Sequence, residues 1–540
     1  MTLAVLMAPA AYPEDHIDYR NGIRHVLLIS IDGMHALDYE NCVNGGYCPN
    51  LADLGKHGVN YTRTSTSRPS DSFPGLMALV TGGTPRSVGA FYDVAYDRVL
   101  APPAKTTGNG VAGGNCIANQ ANGTRTEYEE GVEFDQSKLN GGGPYSLTDA
   151  GIKSIDPTRL PRDPFNGCQP VYPWQFIRTN SIYGVIHAAG GYTAWSDKHA
   201  VYAAVSGHGN NANNVDDYYS PEVNSTVIAL PGVKTATGQS CDPIRDTTQL
   251  GDWTMSFLNI QCNDALKVNA VVNQIDGMTH DGKQKAPVPT IFGMNFQAVS
   301  VGQKLIEGGV VKGGYSDAAG TPTGPMQDEI KFVDASIGQM VSELKSKGLL
   351  ESTLLIITAK HGQSPVDTHR FVEPSTSPAT LLAAYLPFSE SPLNPDGIGP
   401  TEDDISLLWL TNPSNTLTAV GILEANAATA AIGQIFYGPS LGTMFPIGDS
   451  RTPDIIVQPN VGVIYSHSSK KQAEHGGFAH DDTNVMMLVS KPDFAPRKVT
   501  SFVETTQVAP TILQALGLDP SSLDAVQQES TPVLPALNFK

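Results

Sequence analysis

The chain has 540 residues, a formal net charge of −19 and no run of Lys and Arg that would mark a nucleic-acid-binding surface. No window approaches the roughly 18 consecutive apolar residues that a membrane-spanning helix needs. The length is sufficient for a large core, and we expect one large α/β domain with an insertion rather than several small domains.

The first 20 residues differ from the rest of the chain. The segment MTLAVLMAPAAYPED is short and apolar and ends in small residues, so residues 1–20 resemble the end of a signal peptide that lacks its basic start. A disordered terminus is the alternative. Three N-glycosylation sequons, at Asn60, Asn122 and Asn224, fit a secreted glycoprotein.

Six cysteines form an even set, and they lie in three groups that are close in sequence. We predict three short-range disulfides, which join Cys42 to Cys48, Cys116 to Cys168 and Cys241 to Cys262. Buried, reduced thiols are the alternative. The disulfides and the sequons together predict an extracellular or vacuolar-type compartment.

Two apolar runs have the pattern of strands that are buried on both faces of a parallel sheet. The first, RHVLLISIDG at 24–33, places Asp32 at its carboxyl end. The second, STLLIITAKHG at 352–362, follows residues 330–344, whose apolar positions have helical spacing and which Gly348 ends. A helix followed by a glycine and a strand is half of a βαβ unit.

Two further runs, VPTIFGMN at 288–295 and NVMMLVS at 484–490, complete the predicted set of strands. We therefore predict an α/β fold with a mostly parallel central sheet that helices cover on both faces. Ligands bind at the carboxyl ends of the strands in such sheets. Asp32, Asn295, Lys360 and His361 would emerge there.

Residues 99–285 have a different composition, rich in Gly, Asn, Asp and Pro, and carry four of the six cysteines. We interpret them as a loop-rich insertion or cap, and residues 21–98 and 286–540 as the core. The insertion still holds regular structure, because NDALKVNAVVNQIDG at 263–277 has helical spacing and ends in glycine.

A single hydroxyl, Ser72, stands before an apolar helix in RPSDSFPGLMALVTGG, residues 68–83. Serine is a favoured N-cap, so Ser72 is predicted to cap that helix, to act as a nucleophile, or to do both. The two roles share one position, since a helix N-terminus offers unpaired N–H groups and the positive end of the helix dipole to an anion.

Two histidine-containing segments lie further along the chain. AKHGQSP, residues 359–365, places Lys360 and His361 at a strand end, and AEHGGFAHDD, residues 473–482, holds His475 with a second histidine and two aspartates. Clusters of His and Asp can bind a metal, whereas an exposed polar loop is the alternative for the second segment.

The order of these motifs, from LLISIDGM and SFPGLMALVTGGTPRSVG through LLIITAKHGQSP and EHGGF to TTQVAPTILQALGL, resembles the alkaline phosphatase superfamily. The chain is most similar to the type I phosphodiesterase and nucleotide pyrophosphatase branch of that superfamily. The resemblance covers about residues 24–98 and 286–520 and leaves the insertion unmatched.

The resemblance implies a metal-dependent phosphoester hydrolase. Ser72 would be the metal-bound nucleophile, which is usually a threonine before Phe-Pro, and Asp32, His361 and His475 would be metal ligands. The implied reaction is in-line attack on phosphorus to give a phospho-serine, which metal-activated water then hydrolyses. The implied cofactor is a divalent metal, either zinc or else manganese or calcium.

The chain departs from the family pattern at three places. The family's ligating aspartate before His361 is Lys360 here, and an ammonium group cannot bind a metal while it is protonated. The family's Asp-x-x-x-His is NFQAV, so that Asn295 and Val299 replace two ligands. The asparagine that holds phosphoryl oxygens aligns near Asp93, whose charge would repel an anion unless it is metal-bound or protonated.

These departures predict one secure metal ion at most. We hypothesise that Lys360 replaces the missing positive charge and contacts the phosphate or sulfate of the substrate, as lysines do in single-metal sulfatases. GYTAWSDKHA in the insertion, residues 191–200, offers Asp197, Lys198 and His199 to complete the site, and a surface loop after a strand is the alternative. The candidate substrate-binding residues are Asn295, Asp93, Lys198 and His199.

We therefore predict a secreted α/β hydrolase that cleaves phosphodiester or phosphomonoester bonds of a small molecule through Ser72. A sulfuric or phosphonic ester hydrolase on the same fold is the enzymatic alternative, although SFPGL does not match the sulfatase nucleophile motif, a Cys or Ser followed by x-Pro-x-Arg. A degenerate member that binds a phosphorylated ligand without turnover is the non-enzymatic alternative. A serine hydrolase of the triad type is not favoured.

Overall fold

A computed structural model gives the structure of residues 17, 19, 21–128, 151–223, 225, 230–247, 252–389, 401–466 and 471–539. These are the described residues. The leader-like segment predicted at residues 1–20 lies almost wholly outside them, and so does Asn224 of the third sequon.

The central sheet has eight strands. In chain order they are β1 (His25–Ile31), β2 (Gly58–Tyr61), β3 (Ala194–Ser196), β4 (Asp217–Tyr219), β5 (Ile291–Phe296), β6 (Thr353–Thr358), β7 (Met487–Ser490) and β8 (Arg497–Val499). Their order across the sheet is β8-β2-β7-β6-β1-β5-β3-β4. β7 pairs antiparallel with β6 and β2, whereas all the other neighbours pair parallel. The prediction of a mostly parallel sheet is confirmed.

Five helices position the site or cover the sheet. They are α1 (Ser72–Thr81), α2 (Phe257–Ile275), α3 (Ala298–Lys304), α4 (Gly324–Ser346) and α5 (Val508–Ala515). The other described α-helices are Ala36–Asn44, Pro49–Gly55, Pro85–Val88, Pro173–Phe176, Ile182–Ala188, Pro378–Ala383, Thr416–Ala425, His480–Thr483 and Asp524–Glu529. The other described strands are Thr64–Ser65, Val94–Asp97, Thr124–Glu127, Arg162–Asp163, Gln169–Pro170, Ile306–Glu307, Val311–Lys312, Ser406–Leu408, Ile432–Tyr437, Ile455–Pro459, Asn484–Val485 and Val503–Glu504.

Helices cover both faces of the sheet, and each face has its own apolar core. Leu28 of β1 belongs to a cluster with α1 and α5 on one face. Leu27 and Ile29 of β1 belong to a second cluster with α2 and α4 on the other face. Because successive strand residues point to opposite faces, a strand buried on both sides must be apolar throughout. This explains the unbroken apolar run in β1 and confirms the predicted helical covering.

The helices and strands predicted from the sequence are present, but one helix is longer than predicted and the sheet has additional strands. The helix expected at 263–277 begins earlier, at Phe257, because the Ser256 hydroxyl caps it by accepting a hydrogen bond from the Asn259 amide. Two strands from residues 99–285, β3 and β4, extend the central sheet. Part of the region interpreted as an insertion is therefore built into the sheet, and its boundaries stay a prediction.

Three disulfides join Cys42 to Cys48, Cys116 to Cys168 and Cys241 to Cys262, which confirms the predicted pairing. Both of the last two lie within residues 99–285. Among the described residues, no helix combines the length and the apolar character that crossing a bilayer requires.

Candidate active site

The carboxyl ends of four neighbouring strands meet at one edge of the sheet. Asp32 follows β1, Asn295 lies one residue before the end of β5, and Lys198 follows β3. Lys360 and His361 follow β6. Because β6, β1, β5 and β3 are adjacent and parallel, these side chains emerge side by side.

Asp32 is the centre of this group and is almost completely buried. Its Oδ2 lies 3.2 Å from Lys360 Nζ. The same oxygen accepts hydrogen bonds from the side-chain amides of Asn295, at 3.2 Å, and of Gln297. One carboxylate oxygen therefore receives an ammonium group and two amide donors.

The charge state of Asp32 follows from these neighbours. Burial by itself would raise the pKa of Asp32. Lys360 is the largest opposing influence, followed by His361 and Lys198, and together they hold this pKa well below its usual range. Asp32 is therefore a buried carboxylate whose negative charge is balanced chiefly by Lys360.

A buried ion pair on α2 contacts the backbone of Asn295 and Gln297. Lys267 Nζ lies 2.8 Å from Asp264 Oδ1 and donates to the Asn295 carbonyl oxygen at 2.7 Å. Asp264 in turn accepts hydrogen bonds from the backbone amides of Gln297 and Ala298, each at 2.8 Å. These bonds fix the end of β5 and the start of α3, and thereby the two amides that contact Asp32.

Ser72 is the first residue of α1, and Asp71 is the N-cap. The prediction that Ser72 caps the helix is therefore wrong, because the residue with extended backbone at the cap lies one position earlier. Helix α1 lies directly against the backbone of Lys360, since a Cβ on Gly75 would collide with the Lys360 carbonyl oxygen. The glycine in SFPG thus allows α1 to bring Ser72 to the end of β6.

Ser72 and His361 form a hydrogen-bonded pair. Ser72 Oγ lies 3.2 Å from His361 Nε2, and His361 Nδ1 lies 2.8 Å from the carbonyl oxygen of Gly362. Because a carbonyl oxygen only accepts, Nδ1 carries a hydrogen. Nε2 also lies 3.5 Å from Asp32 Oδ2, and in the tautomer in which Nε2 carries no hydrogen it accepts from the Ser72 hydroxyl.

His475 lies against His361, with ring centroids 4.0 Å apart and ring planes inclined by 17°. Its Nδ1 lies 2.9 Å from Glu474 Oε1. Burial and the neighbouring His361 lower the pKa of His475 to about 3, although Glu474 opposes them. His475 is therefore a neutral ring. Its side chain is 13% exposed, whereas Ser72 is 0% exposed, so solvent reaches His475 more readily than Ser72.

Asp71 links the start of α1 to His475 and to Asp93. Its Oδ1 lies 3.6 Å from His475 Nε2, and its Oδ2 accepts a hydrogen bond from the Asp93 amide at 2.8 Å. Asp93 Oδ1 accepts from the Val94 amide at 2.7 Å. The backbone of Asp93 thus contacts Asp71, the residue that precedes Ser72.

Residues from the predicted insertion line the same site. The Tyr202 ring centroid lies 4.4 Å from Lys360 Nζ and 5.9 Å from Lys198 Nζ. His199 Nδ1 lies 2.6 Å from Glu222 Oε1. Lys198 and His199 are both buried, so the surface-loop alternative for residues 191–200 is wrong.

The loop at 473–482 does not gather its polar residues at one point. His475 lies against His361, whereas His480 and Asp481 line a separate cavity with His35. Asp481 Oδ2 accepts from the Val366 amide at 2.9 Å. The metal-binding cluster considered for the whole loop is therefore not assembled in the described residues.

The chain contains one Gly-x-Ser-x-Gly sequence, GPSLG at residues 438–442. It forms a 3₁₀-helix, Gly438–Thr443, rather than the strand-to-helix turn of a nucleophile elbow. Ser440 is exposed, and its Oγ accepts from the Tyr437 amide and donates to the Tyr437 carbonyl oxygen, both at 2.8 Å. Ser440 therefore completes a turn.

The donors around Ser72 do not fit the metal ions that the fold family implies. Two buried atoms of suitable type, Asp32 Oδ1 and His475 Nε2, lack a hydrogen-bond partner among the described residues. However, the described part of the chain holds no group of three or more His, Cys, Asp or Glu arranged to bind a metal. The Lys360 ammonium lies against Asp32, and Val299 is packed in the apolar core.

Several residues of the site were not predicted from the sequence. Asp71 and Glu474 directly precede Ser72 and His475, and Gln297 lies two residues beyond Asn295, so proximity to a motif was a usable signal for these three. Tyr202 and Lys267 gave no such signal, because their contacts with Lys360 and Asn295 join distant parts of the chain.

The strand order, the helices on both faces and the polar group at the carboxyl edge define an alkaline phosphatase-like α/β protein. The family described as type I phosphodiesterase/nucleotide pyrophosphatase matches residues 26–120 and 313–482. The chain belongs to this family, which places it among the phosphoric ester hydrolases of the alkaline phosphatase superfamily.

Solved structures share the fold at low sequence identity. Murine ectonucleotide pyrophosphatase/phosphodiesterase 5 is 15% identical with a TM-score of 0.53, over 92% of this chain and 96% of that chain. The human protein of the same name is 15% identical with a TM-score of 0.51, over 92% and 95%. The alkaline phosphatase PafA is 10% identical with a TM-score of 0.54, over 92% and 96%.

An inactive variant of the murine protein, with one threonine replaced by alanine, has been solved in complex with AMP. Identities this low show the fold alone. No curated protein sequence matches the chain.

Proposed function

We propose that this protein hydrolyses phosphodiester or phosphomonoester bonds through a Ser72 nucleophile and a phospho-serine intermediate. The observation that carries the proposal is the hydrogen bond between Ser72 Oγ and His361 Nε2, 3.2 Å long, at the N-terminus of α1. Membership of the family supports a phosphoester as the substrate. The AMP bound by the murine relative's inactive variant supports nucleotides as candidates for the natural ester.

The pair supports a two-step reaction in which His361 moves protons. First, Ser72 Oγ attacks phosphorus as the bond to the leaving oxygen breaks. His361 Nε2 takes the Ser72 proton and releases it to solvent, and the leaving alkoxide takes a proton from solvent. Water then attacks the phospho-serine, and His361 passes a proton from that water to Ser72 Oγ as the P–Oγ bond breaks. One ester and one water give one alcohol and one phosphate.

Positive charge for the phosphoryl oxygens comes from Lys360 and Lys198 in this proposal. Lys360 Nζ forms the ion pair with Asp32 but has no hydrogen-bond partner of good geometry among the described residues, so it retains hydrogens for an anionic ligand. The first N–H groups of α1 add further donors. Asn295, Asp93 and His199 stay predicted substrate contacts.

The metal that the resemblance implies, zinc or else manganese or calcium, has no part in these steps. The described donor set does not fit it. Asp32 acts instead as the counter-charge that orients Lys360, and His475 packs against the base.

The test is hydrolysis of nitrophenyl phosphate, bis-nitrophenyl phosphate and nitrophenyl sulfate by the wild type and by Ser72→Ala. We expect Ser72→Ala to lower kcat/KM by about 1,000-fold or more. Ser440→Ala is the matched control and should stay within about twofold of the wild type, because Ser440 only completes an exposed turn. Mass spectrometry of quenched wild type should find the phosphoryl group on the peptide that contains Ser72.

The three esters separate the alternatives. Turnover confined to the sulfate would support the sulfuric ester hydrolase. Equal, negligible turnover by wild type and Ser72→Ala would contradict the proposal and favour a protein that binds a phosphorylated ligand without reaction.

We further propose that the protein is secreted and glycosylated. Three disulfides support an oxidising compartment. Of the two described sequons, Asn122 is the better acceptor, because Asn60 lies in β2, which pairs with strands on both sides. Expression through a eukaryotic secretory pathway, followed by glycosidase treatment, should reveal a mass loss that Asn122→Gln removes.

A further inference from the structure

We infer that the Lys360 ammonium takes the place of a catalytic metal ion, so that the site neither holds nor requires a divalent cation. The kinetic part of this inference rests on the proposed function, whereas the metal-binding part stands independently. It departs from the metal dependence that is typical of the family.

The first observation is the position of Lys360. Its side chain is 0% exposed. The ammonium nitrogen, Nζ, lies 3.2 Å from Asp32 Oδ2 and 4.4 Å from the centroid of the Tyr202 ring. The ammonium is thus held between a carboxylate and the face of an aromatic ring, both of which favour a cation. A metal ion on the same carboxylate would lie beside a buried like charge, where water screens repulsion only weakly.

The second observation is that Asp32 Oδ2 already has its full share of donors. Besides Lys360, the amides of Asn295 and Gln297 donate to it. The Lys267–Asp264 pair fixes both amides through the backbone. Oδ2 is therefore occupied by N–H groups, and Oδ1, which lacks a hydrogen-bond partner among the described residues, belongs to no described group of three or more His, Cys, Asp or Glu arranged to bind a metal.

The third observation concerns the other half of the family's metal pair. Val299 lies in the apolar core, and Asn295 directs its amide to Asp32. His475 Nε2 has one carboxylate near it, Asp71 Oδ1 at 3.6 Å, but the described residues around it form no group of three or more ligands, and its ring packs on His361.

The fourth observation is that the Ser72 hydroxyl already has a side-chain partner. The metal in such sites contacts the nucleophile's hydroxyl, whereas here Ser72 Oγ lies 3.2 Å from His361 Nε2. In the proposed reaction this contact takes the place of the bond to a metal.

Metal binding by the full-length wild type is the first test. The protein is incubated with Zn²⁺ alone, desalted, and measured by plasma mass spectrometry. We expect below about 0.1 equivalent, whereas a family-type site retains about one or two. Retention of one or more equivalents, lost in His361→Ala, overturns the inference.

A gain-of-binding variant sharpens the test. Lys360→Asp replaces the ammonium with the carboxylate that the family carries and should retain about one equivalent of Zn²⁺. Lys56→Asp is the matched control, because it makes the same change in an exposed ion pair, where Lys56 Nζ lies 3.0 Å from Asp53 Oδ1. If the control gains as much zinc as Lys360→Asp, the gain is non-specific and the inference loses this support. The wild-type measurement stands even if Lys360→Asp does not fold.

Hydrolysis before and after treatment with a chelator gives the kinetic test. We expect kcat/KM to change less than about twofold, since no step uses a metal. A fall of tenfold or more that added metal restores overturns the inference while leaving Ser72 as the nucleophile. Absence of Ser72-dependent turnover in both conditions instead overturns the proposed function, and metal content then decides the inference alone.

Discussion

His361 and His475 stack with ring centroids 4.0 Å apart, but only His361 contacts the Ser72 hydroxyl. His475 faces Asp71 and Glu474 instead. In the proposed reaction the two histidines therefore have different tasks: His361 exchanges a proton with Ser72, and His475 packs against the His361 ring.

This difference predicts that the shape of His475 matters more than its nitrogen atoms. His475→Phe keeps the stack and should retain kcat/KM within about twofold, whereas His475→Ala removes an aromatic contact worth roughly 1 kcal/mol and should lose about fivefold. Steady-state kinetics with bis-nitrophenyl phosphate compares the two. Equal losses above 100-fold in both variants would show that a nitrogen of His475 binds a ligand.

The close approach of α1 to β6 predicts a strong effect of one methyl group. Gly75→Ala would push a Cβ against the Lys360 carbonyl oxygen and should lower the free energy of unfolding by about 1–3 kcal/mol. Because the same contact aligns Ser72 with His361, hydrolysis should fall as well.

Gly421→Ala is the control for this change. Gly421 lies inside the helix Thr416–Ala425 with nothing within 4 Å of the added Cβ. There alanine should stabilise the protein by about 0.5–1 kcal/mol, because it suits a helix better than glycine. Denaturant unfolding of both variants measures the contrast, and a neutral Gly75→Ala would contradict the close packing.

A buried histidine away from the catalytic group predicts a pH dependence of stability. Burial by itself would lower the pKa of His35, but Asp38, helped by Asp481, raises it to about 9 from 6.5. His35 Nδ1 lies 2.9 Å from Asp38 Oδ2 and 3.0 Å from the Tyr315 hydroxyl. The folded state therefore holds the proton more tightly than the unfolded state.

The stabilisation from this pair is complete below pH 6.5 and is lost as the pH rises through about 9. We expect the free energy of unfolding to fall by up to roughly 3 kcal/mol over that window. Urea unfolding at several pH values measures it. His35→Gln should flatten the profile, and His57→Gln, at an exposed position, should leave it unchanged.

The disulfides that close the shortest and the longest loops are expected to stabilise the protein by different amounts. Cys116–Cys168 closes a sequence separation of 52 residues and Cys42–Cys48 one of 6. In the chain-entropy description, replacing the first pair by serine should cost about 4 kcal/mol and the second about 2 kcal/mol. Denaturant unfolding of the two double variants compares them. A larger loss for the short loop would show that packing of the buried Cys42 and Cys48 outweighs the entropy of the unfolded chain.

The sequence predicted those parts of the site that depend on strand ends. Asp32, Asn295 and His361 were located because apolar runs stop at them, and parallel strands bring such stops to one edge. Ser72 was identified from the motif around it. Its exact position at the helix start was not predicted, because Asp71 and Ser72 are adjacent and are equally good N-cap residues.

The sequence did not predict what surrounds Lys360. The ring of Tyr202 beneath its ammonium and the amide of Gln297 on its partner Asp32 come from separate elements. Such contacts arise from packing between distant segments and leave no periodic pattern. Lys198 was ambiguous for a related reason, since β3 has only three residues and gives a weak strand signal.

The placement of β3 and β4 in the sheet has a consequence for how this protein can diversify. The segment between them carries Lys198 and Tyr202, and both of its ends are hydrogen-bonded into the same scaffold as Asp32. Substitutions elsewhere in residues 99–285 therefore leave the anchor points of the segment that carries Lys198 and Tyr202 in place. In the proposed reaction, this arrangement keeps positive charge beside Ser72 while the surrounding residues vary.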